Sequence, residues 1–315
     1  MFENSEYIYE VYKEGSFSAA ARKLYISQPS LSASVKRIEE RVGYPIFDRS
    51  VKPVGLTELG KKYVESMLEI RRIREDFEKY VSDYGSLKAG ELRLGGTNLV
   101  ASHVMPKLIQ KFKAAYPGVN VELSEALSQE LENRLSDGRV DMIIDYSVPD
   151  TELFDGAKME DEYLILTVPA SYEINKKLEN YRLDIKDIKN GSFAEGKVPA
   201  VPLKKFSGVP FVLLKKRNDT YRRAIKMCAE AGFTPETSFI SPQQTTAYHV
   251  CESGMGAAFV SSILLREITE SPKLVYYRLG SEYAHRELSV FWKRERYITR
   301  AMEEFIKIAA PPVVI

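Results

Sequence analysis

Residues 15–59, GSFSAAARKLYISQPSLSASVKRIEERVGYPIFDRSVKPVGLTEL, constrain the fold more than any other stretch of this chain. Gly15 ends a preceding helix that the spacing of Phe2, Tyr7, Ile8, Val11 and Tyr12 predicts. Ser16 or Ser18 can cap the next helix, which Phe17 and Leu24 anchor and whose Ala19, Ala20 and Ala21 permit a neighbour to come close. Ser27 then caps a third helix with Pro29 in its first turn, where a missing N–H costs nothing, and Leu31, Val35, Ile38 and Val42 form its buried stripe. A Pro-rich wing follows. The segment reads as helix, tight turn, helix and wing.

The other face of the third helix carries Gln28, Ser30, Ser32, Ala33, Lys36 and Arg37. Short side chains at a helix N-terminus let the backbone approach a DNA major groove, Gln28 can read an adenine edge, and Lys36 and Arg37 can reach phosphates. Ser27, Gln28, Pro29, Ser30, Ser32, Lys36 and Arg37 are therefore the candidate DNA contacts. Between residues 16 and 56, Arg22, Lys23, Lys36, Arg37, Arg41, Arg49 and Lys52 outweigh Glu39, Glu40 and Asp48, whereas the first fifteen residues set Glu3, Glu6, Glu10 and Glu14 against Lys13. That asymmetry suits one basic face turned to phosphates, hidden in a chain-wide net charge of only +1. On periodicity alone a plain helical hairpin stands as an equal alternative.

The run AA-x-x-L-x-I-S-Q-P-S-L-S-x-x-V-K-R-I-E-E-R-V-G-x-P-I-F-D-R over residues 20–49 resembles the LysR-type transcriptional regulators, and the match continues through Leu56, Thr57 and Gly60. The resemblance implies a winged helix-turn-helix that binds double-stranded DNA at a dyad-symmetric promoter site, with Arg49 and Lys52 of the wing added to the contacts. It also implies a homo-oligomer, a dimer or dimer of dimers that bends DNA, with RNA polymerase as a candidate partner. The wing, SVKPVG, is less basic than the family's, so its phosphate contacts are expected to be weaker.

Between residues 57 and 84, apolar side chains fall at Leu59, Tyr63, Met67, Ile70, Ile73, Phe77, Tyr80 or Val81, and Tyr84, spacings of three and four that predict a long helix with a coiled-coil-like seam. About 28 residues at a rise of 1.5 Å each would span roughly 40 Å, a length suited to a dimerisation spacer. A long surface helix packed on its own domain is the bland alternative. The family resemblance implies a linker helix that pairs with its mate. GSLKAG at residues 85–90 reads as a hinge.

Beyond the hinge, ELRLG, VNVEL and VDMIID are predicted strands separated by helices at residues 99–115 and 129–136, which gives βαβαβ and a doubly wound sheet. A second series has strands at YLILTV, PFVLL, near Phe239 and at AAFV, with helices at residues 220–231 and 243–253. Strands at LVYYRL and ELSVFW and a helix at residues 297–309 are expected to return and complete the first half. Residues 174–206, rich in Gly and Pro, read as a loop-bearing insertion. The fold class is thus α/β, an N-terminal winged helix-turn-helix and long linker helix followed by a two-lobed, doubly wound effector-binding domain similar to the bacterial (periplasmic) solute-binding proteins. The expected boundaries are 1–59 for the DNA-binding domain, 60–90 for the linker helix and hinge, and 91–315 for the effector-binding domain. Within the last, the first lobe takes about 91–161 and 269–315 and the second about 162–268.

Ligands of open α/β sheets gather at the carboxyl ends of strands beside helix N-termini. This selects Thr97, Asn98, Ser128, Gln129 and Tyr146 in the first half, and Lys216, Asn218, Gln243 and Thr245 in the second, positions that match the loops of the family's inducer cleft. Lys215, Lys216 and Arg217 would favour a small-molecule effector with a carboxylate or phosphate, although a solvated basic loop is as good a reading, and Ser128 and Thr97 could be plain helix caps.

An enzyme needs catalytic vocabulary that is thin here. His103, His249 and His285 are scattered, there is no H-E-x-x-H or C-x-x-C, and Gly254-Met255-Gly256 lacks its third glycine. No catalytic residue, metal site or cofactor is expected. Cys228 and Cys251 do not have the spacing of the family's peroxide-sensing branch and read as buried, inert thiols. With no apolar run of about 18 residues and no leader pattern, no membrane association is expected and the cytoplasm is the expected compartment. The rival is a solute-binding or enzymatic two-lobed protein carrying a helical appendage.

Overall fold

A computed structural model describes residues 2–83, 90–146 and 150–311 of the chain. Two compact units emerge, Met1–Val81 and Ser82–Ile315. The hinge read at residues 85–90 lies, except for Gly90, outside the described residues.

The first unit opens with α1 (Glu6–Glu14), α2 (Phe17–Lys23) and α3 (Gln28–Val42). Ser16 accepts from Ala19 N–H at 3.4 Å and Ser27 from Ser30 N–H at 3.3 Å, so both helices start on a capping hydroxyl. Gly15 and Gly43 end α1 and α3 in the left-handed conformation that a glycine adopts without strain. The short antiparallel pair β1 (Phe47–Asp48) and β2 (Gly55–Leu56) forms the wing, and α4 (Glu58–Asp83) follows. Ile8, Val11, Ala20, Ala21, Leu31, Val35 and Ile38 pack with Ile46, Phe47, Tyr63, Val64 and Met67 in one core. Thr57 explains the end of the wing motif, because its hydroxyl donates to Pro45 O at 2.8 Å and accepts from Gly60 N–H at 2.9 Å. A Cβ at Gly60 would stand 2.0 Å from Ile46 O, so only glycine lets α4 start this close to the wing.

The second unit begins with β3 (Gly90–Gly96), α5 (Asn98–His103), α6 (Met105–Ala115), β4 (Val119–Glu125), α7 (Ser128–Ser136) and β5 (Met142–Asp145). The single helix expected at 99–115 is two helices: Pro106 stands in the first turn of α6, where it cannot continue the hydrogen-bond ladder of α5. Then come β6 (Phe154–Pro169), β7 (Arg182–Leu183), α8 (Ile185–Asn190), β8 (Pro210–Leu214), α9 (Asp219–Glu230), β9 (Glu236–Ser241), α10 (Gln244–Glu252) and β10 (Ala257–Ser261). The chain closes with α11 (Ser262–Glu267), β11 (Leu274–Arg278), β12 (His285–Lys293) and α12 (Arg300–Ala309), which starts on the Thr299 cap rather than at residue 297.

The strands lie in the order β4-β3-β5-β12-β6-β10-β8-β9. Each half holds a parallel triplet, β4-β3-β5 and β9-β8-β10, in which the first strand of the series sits in the middle. An antiparallel strand closes each triplet, β12 beside β5 and β6 beside β10. The 16-residue β6 joins the halves, pairing with β12 through its first part and with β10 and β11 through its second. One expectation is corrected here: β11 pairs with the second part of β6 and with β7, so LVYYRL joins the second sheet, and of the two returning strands β12 alone completes the first.

The 174–206 segment is more ordered than a loop. Asn175 Nδ2 donates to Pro169 O at 2.8 Å and its Oδ1 accepts from Tyr277 Oη at 2.8 Å, while Ile185, Ile188 and Phe193 enter the main core. In the first half, Arg93 grips Asp141 through its backbone N–H and two guanidinium nitrogens, at 2.9–3.2 Å.

Candidate nucleic-acid interface and ligand cleft

In the first unit α3 turns Leu31, Val35 and Ile38 inward and leaves Gln28, Pro29, Ser30, Ala33, Lys36 and Arg37 exposed, with Ser32 half-buried. Ser27, exposed as well, uses its hydroxyl as the cap. Arg37 Nη2 donates to Ser34 Oγ at 3.2 Å, and Lys36 makes a loose, exposed contact of 3.8 Å with Glu40, which solvent screens.

Arg49 is more than a surface base. Its guanidinium pairs with Glu39 at 3.2 Å, donates to Ser32 Oγ at 3.4 Å and lies 4.7 Å over the Phe17 ring. Glu39 in turn accepts from Ile46 and Phe47 N–H at 2.8 and 3.1 Å, so the pair fastens the start of the wing to α2 and α3. The basic excess counted along the sequence is also smaller in space. Lys23 bonds Glu10 at 2.9 Å and Glu14 at 3.2 Å, which raise its pKa, and Arg41 pairs with Glu3 at 3.3 Å. Of the bases between residues 16 and 56, Arg22, Arg37 and Lys52 are exposed and in no ion pair among the described residues, and Lys36 has only its loose contact with Glu40. Sequence reasoning passed over Tyr25, which occupies the turn before α3 with φ +54° and is 96% exposed. A bulky residue in that conformation is unusual.

Along α4, Tyr63, Val64 and Met67 are buried in the core of the first unit, whereas Ile70, Ile73, Phe77, Tyr80 and Val81 are exposed, Ile73 and Phe77 to 64% and 65%. Ion pairs of i,i+4 spacing, Arg71–Glu75 and Arg74–Glu78, brace the helix. Its far end therefore presents an exposed apolar stripe.

The second unit has a cleft of about 310 Å³ between its two sheets, at the carboxyl ends of β3, β4, β5 and β8. Thr97, Asn98, Ser128, Tyr146, Asn218 and Gln243 of the expected set line it. Gln129, Lys216 and Thr245 fall outside the lining: Gln129 turns to Glu132 at 3.3 Å, Lys216 is exposed, and Gln244 takes the place expected of its neighbour Thr245. Of the three bases after β8 only Arg217 reaches the lining.

The residues that build the floor were not foreseen. Arg286 on β12 is fully buried, paired through Nε and Nη2 with Glu162 on β6, itself 0% exposed, and through Nη1 with Asp219 at 3.1 Å and Thr220 Oγ1 at 3.3 Å. Its Cζ lies 3.7 Å from the centre of the Tyr146 ring. Burial works against the Arg286 charge, but Glu162, Tyr146 and Asp219 outweigh it and hold the guanidinium protonated. Burial likewise works to raise the Asp219 carboxyl, yet Arg286 and Arg223 keep it below the usual range. Gln244 Nε2 donates to Thr220 Oγ1 and its Oε1 accepts from Ser261 N–H, both at 2.8 Å, which ties α9, α10 and β10 together beneath the cleft. Asp145, at the end of β5, is 3% exposed; burial pushes its pKa up, against bonds from the Ser128 hydroxyl and the Tyr146 N–H. A larger depression, about 490 Å³, lies on the second half alone, and its Arg223 is held by Asp219 and by the carbonyls of Tyr283 and His285.

Among the described residues no group of three His, Cys, Asp or Glu could hold a metal. Cys228 and Cys251 are buried in separate core clusters, and burial pushes both thiols up to about 12. No helix among the described residues is long and apolar enough to cross a membrane.

Residues 2–61 match the model of the bacterial regulatory helix-turn-helix proteins of the lysR family, and residues 85–311 match the LysR substrate binding domain. The chain is 29% identical over 305 residues to the uncharacterized HTH-type transcriptional regulator YcgK of Bacillus subtilis, covering 96% of this chain and 92% of that one. It is 29% identical over 307 residues to a probable RuBisCO transcriptional regulator of Gracilaria tenuistipitata, covering 94% and 91%. Full-length OxyR from Pseudomonas aeruginosa has the same fold, with a TM-score of 0.67, 21% identity and coverage of 97% and 95%. So does the LysR family transcriptional regulator CbnR, with a TM-score of 0.60, 17% identity and coverage of 99% and 100%.

Proposed function

The chain belongs to the LysR family of bacterial helix-turn-helix regulators, and from that premise we propose how its parts divide the work of a ligand-responsive regulator. It is a transcriptional regulator, not an enzyme, with a DNA-binding domain and an effector-binding domain. Regulators of this family bind DNA and small-molecule effectors and form oligomers; a structure of CbnR with its target DNA is among the related folds, at a TM-score of 0.53.

Sequence reading is assigned to α3. The observation that carries this is one helix burying Leu31, Val35 and Ile38 while it exposes Gln28, Pro29 and Ser30 in its first turn and Lys36 and Arg37 further along. Gln28 reads a base edge; Lys36, Arg37 and Lys52 neutralise phosphates; Ser27 and Arg49 hold the helix and wing in place. The exposed stripe of Ile73, Phe77 and Val81 on α4 pairs with the same stripe of a second copy. Two-fold symmetry then calls for two half-sites in opposite orientation, and a dimer of dimers extends the contact along the promoter, where RNA polymerase is the partner to be influenced. A protein whose partner is the chromosome works in the cytoplasm.

The cleft is assigned to the effector, with Thr97, Asn98, Ser128, Tyr146, Asn218 and Gln243 around it and Arg286 beneath. The expectation of a carboxylate drew on the loop after β8. Of its bases only the exposed Arg217 lines the cleft, so that loop supports an anion weakly. An effector that binds one arrangement of the lobes better than another changes how the paired readers are held. A mobility-shift titration of the full chain on unrelated DNA at two salt concentrations is the first test. Binding that weakens steeply with salt is expected, and no binding at low salt would overturn the assignment.

A further inference from the structure

The charge arrangement of the cleft selects the chemistry of its ligand, an inference that rests on the reading of this cleft as the effector site. Four carboxylates line it, Glu125, Glu130, Asp145 and Asp219, against two bases, Arg217 and Arg286. The other three are accounted for differently, Asp219 and Glu130 by arginines and Glu125 by its exposure to solvent. Asp219 holds Arg223 at 2.8 Å and Arg286 at 3.1 Å, Glu130 pairs with Arg134, and Glu125 accepts from Asn98 Nδ2 at 3.2 Å.

Asp145 differs. It is the most buried of the four, and it accepts the Tyr146 N–H at 2.7 Å and the Ser128 hydroxyl, both neutral donors. Among the described residues no cationic side chain forms an ion pair with it, and the nearby Arg286 directs its nitrogens to Glu162, Asp219 and Thr220. A carboxylate taken out of water without a counter-charge is costly, and that cost is relieved by a cation or by a proton. Because Asp145 borders an open cavity at the end of β5, the counter-charge can arrive with a ligand.

We propose that the effector is a small molecule bearing a protonated amine, and that Asp145 is the residue that receives it. The ammonium sits against the carboxylate with the Ser128 hydroxyl and Asn218 amide at hand, in a space of about 310 Å³, at the small end of the range of ligand pockets. The rest of the ligand faces the amino ends of α7 and α10, neither of which has a side-chain cap, so a molecule with an oxygen acceptor opposite its amine uses both features.

The test is a thermal-shift and mobility-shift titration of the full chain with 1,4-diaminobutane, 4-aminobutyrate and succinate, four-carbon probes that differ in charge, followed by a panel of primary amines, amino acids and carboxylates of similar size. Compounds with a primary amine are expected to raise the melting temperature or alter the DNA complex, and succinate to do neither. Asp145→Asn should still bind DNA yet lose at least tenfold in amine affinity, and Asp145→Glu should restore part of it. A response confined to compounds without an amine, no response to any amine, or an undiminished amine response in Asp145→Asn would overturn the proposal. A response to carboxylates alone would leave the cleft as the effector site. Failure of the unaltered chain to bind DNA would instead strike the regulator reading itself.

Discussion

Arg286 Nη1 lies 3.1 Å from Asp219 Oδ2, which joins the strand completing the first sheet to the opening turn of a helix in the second half. With Tyr146 stacked on one face of the guanidinium and Glu162 on its edge, the two halves share one buried cation.

Removing the cation should therefore be severe. Arg286→Met leaves Glu162 buried without a counter-charge, and a broken buried pair costs about 3–5 kcal/mol. Urea unfolding of the full chain should show that loss, with part of it recovered in the double variant Arg286→Met/Glu162→Gln. A loss below about 1 kcal/mol, a value typical of exposed pairs, would contradict the account.

Asp145 gives the opposite sign. Its folded pKa is raised above the unfolded value near 3.8, so its contribution to stability is fully present below that value and is lost as pH rises through the folded pKa. Without ligand, Asp145→Asn should be more stable than the parent at pH 7, and this advantage should vanish by pH 4. Urea midpoints at the two pH values decide it; an Asn variant less stable at pH 7 would count against a buried carboxylate with no ion-paired cation.

On DNA, the exposed residues of α3 should separate into two kinds. Gln28→Ala is expected to lower affinity for the cognate site by about 1–3 kcal/mol with little effect on random DNA. Arg37→Ala should weaken both equally and reduce the salt slope by about one. Fluorescence anisotropy on the two duplexes at several salt concentrations distinguishes these, and equal losses for Gln28→Ala would remove it as a base reader.

The two cysteines are expected to be inert toward peroxide. Cys228 and Cys251 are buried with thiols pushed up to about 12, so the reactive thiolate is scarce at neutral pH. Neither should react with a thiol reagent in the native state, and Cys228→Ser/Cys251→Ser should bind DNA as the parent does with or without peroxide. Peroxide-dependent binding lost in that variant would overturn this.

The DNA-binding unit was legible in the sequence because its signals are local. Ser27 caps α3, Pro29 stands where a proline is tolerated, and Gly60 is where no Cβ fits. The parallel strands were legible too, since apolar runs such as PFVLL are buried on both faces. The first part of β6, FDGAKMEDE, escaped because its alternating exposure carries no apolar run, and its pairing with β12 lies more than a hundred residues away. For the same reason nothing singled out Arg286 and Glu162, 124 residues apart, which pair beneath the cleft. That Gln244 rather than Thr245 faces the cleft is a one-residue distinction that periodicity does not resolve. Tyr25 gave no sequence signal of its positive φ.

The central claim is that α3 reads DNA as one of a symmetric pair held by α4. Selection of duplexes from a random-sequence pool by the full chain tests it most directly. The account predicts enrichment of one short half-site repeated in inverted orientation, with centres separated by one or more helical turns of about 10 bp, and loss of that enrichment with Ile73→Asp/Phe77→Asp. Recovery of an unrepeated site, or of no sequence at all from a folded protein, would contradict it.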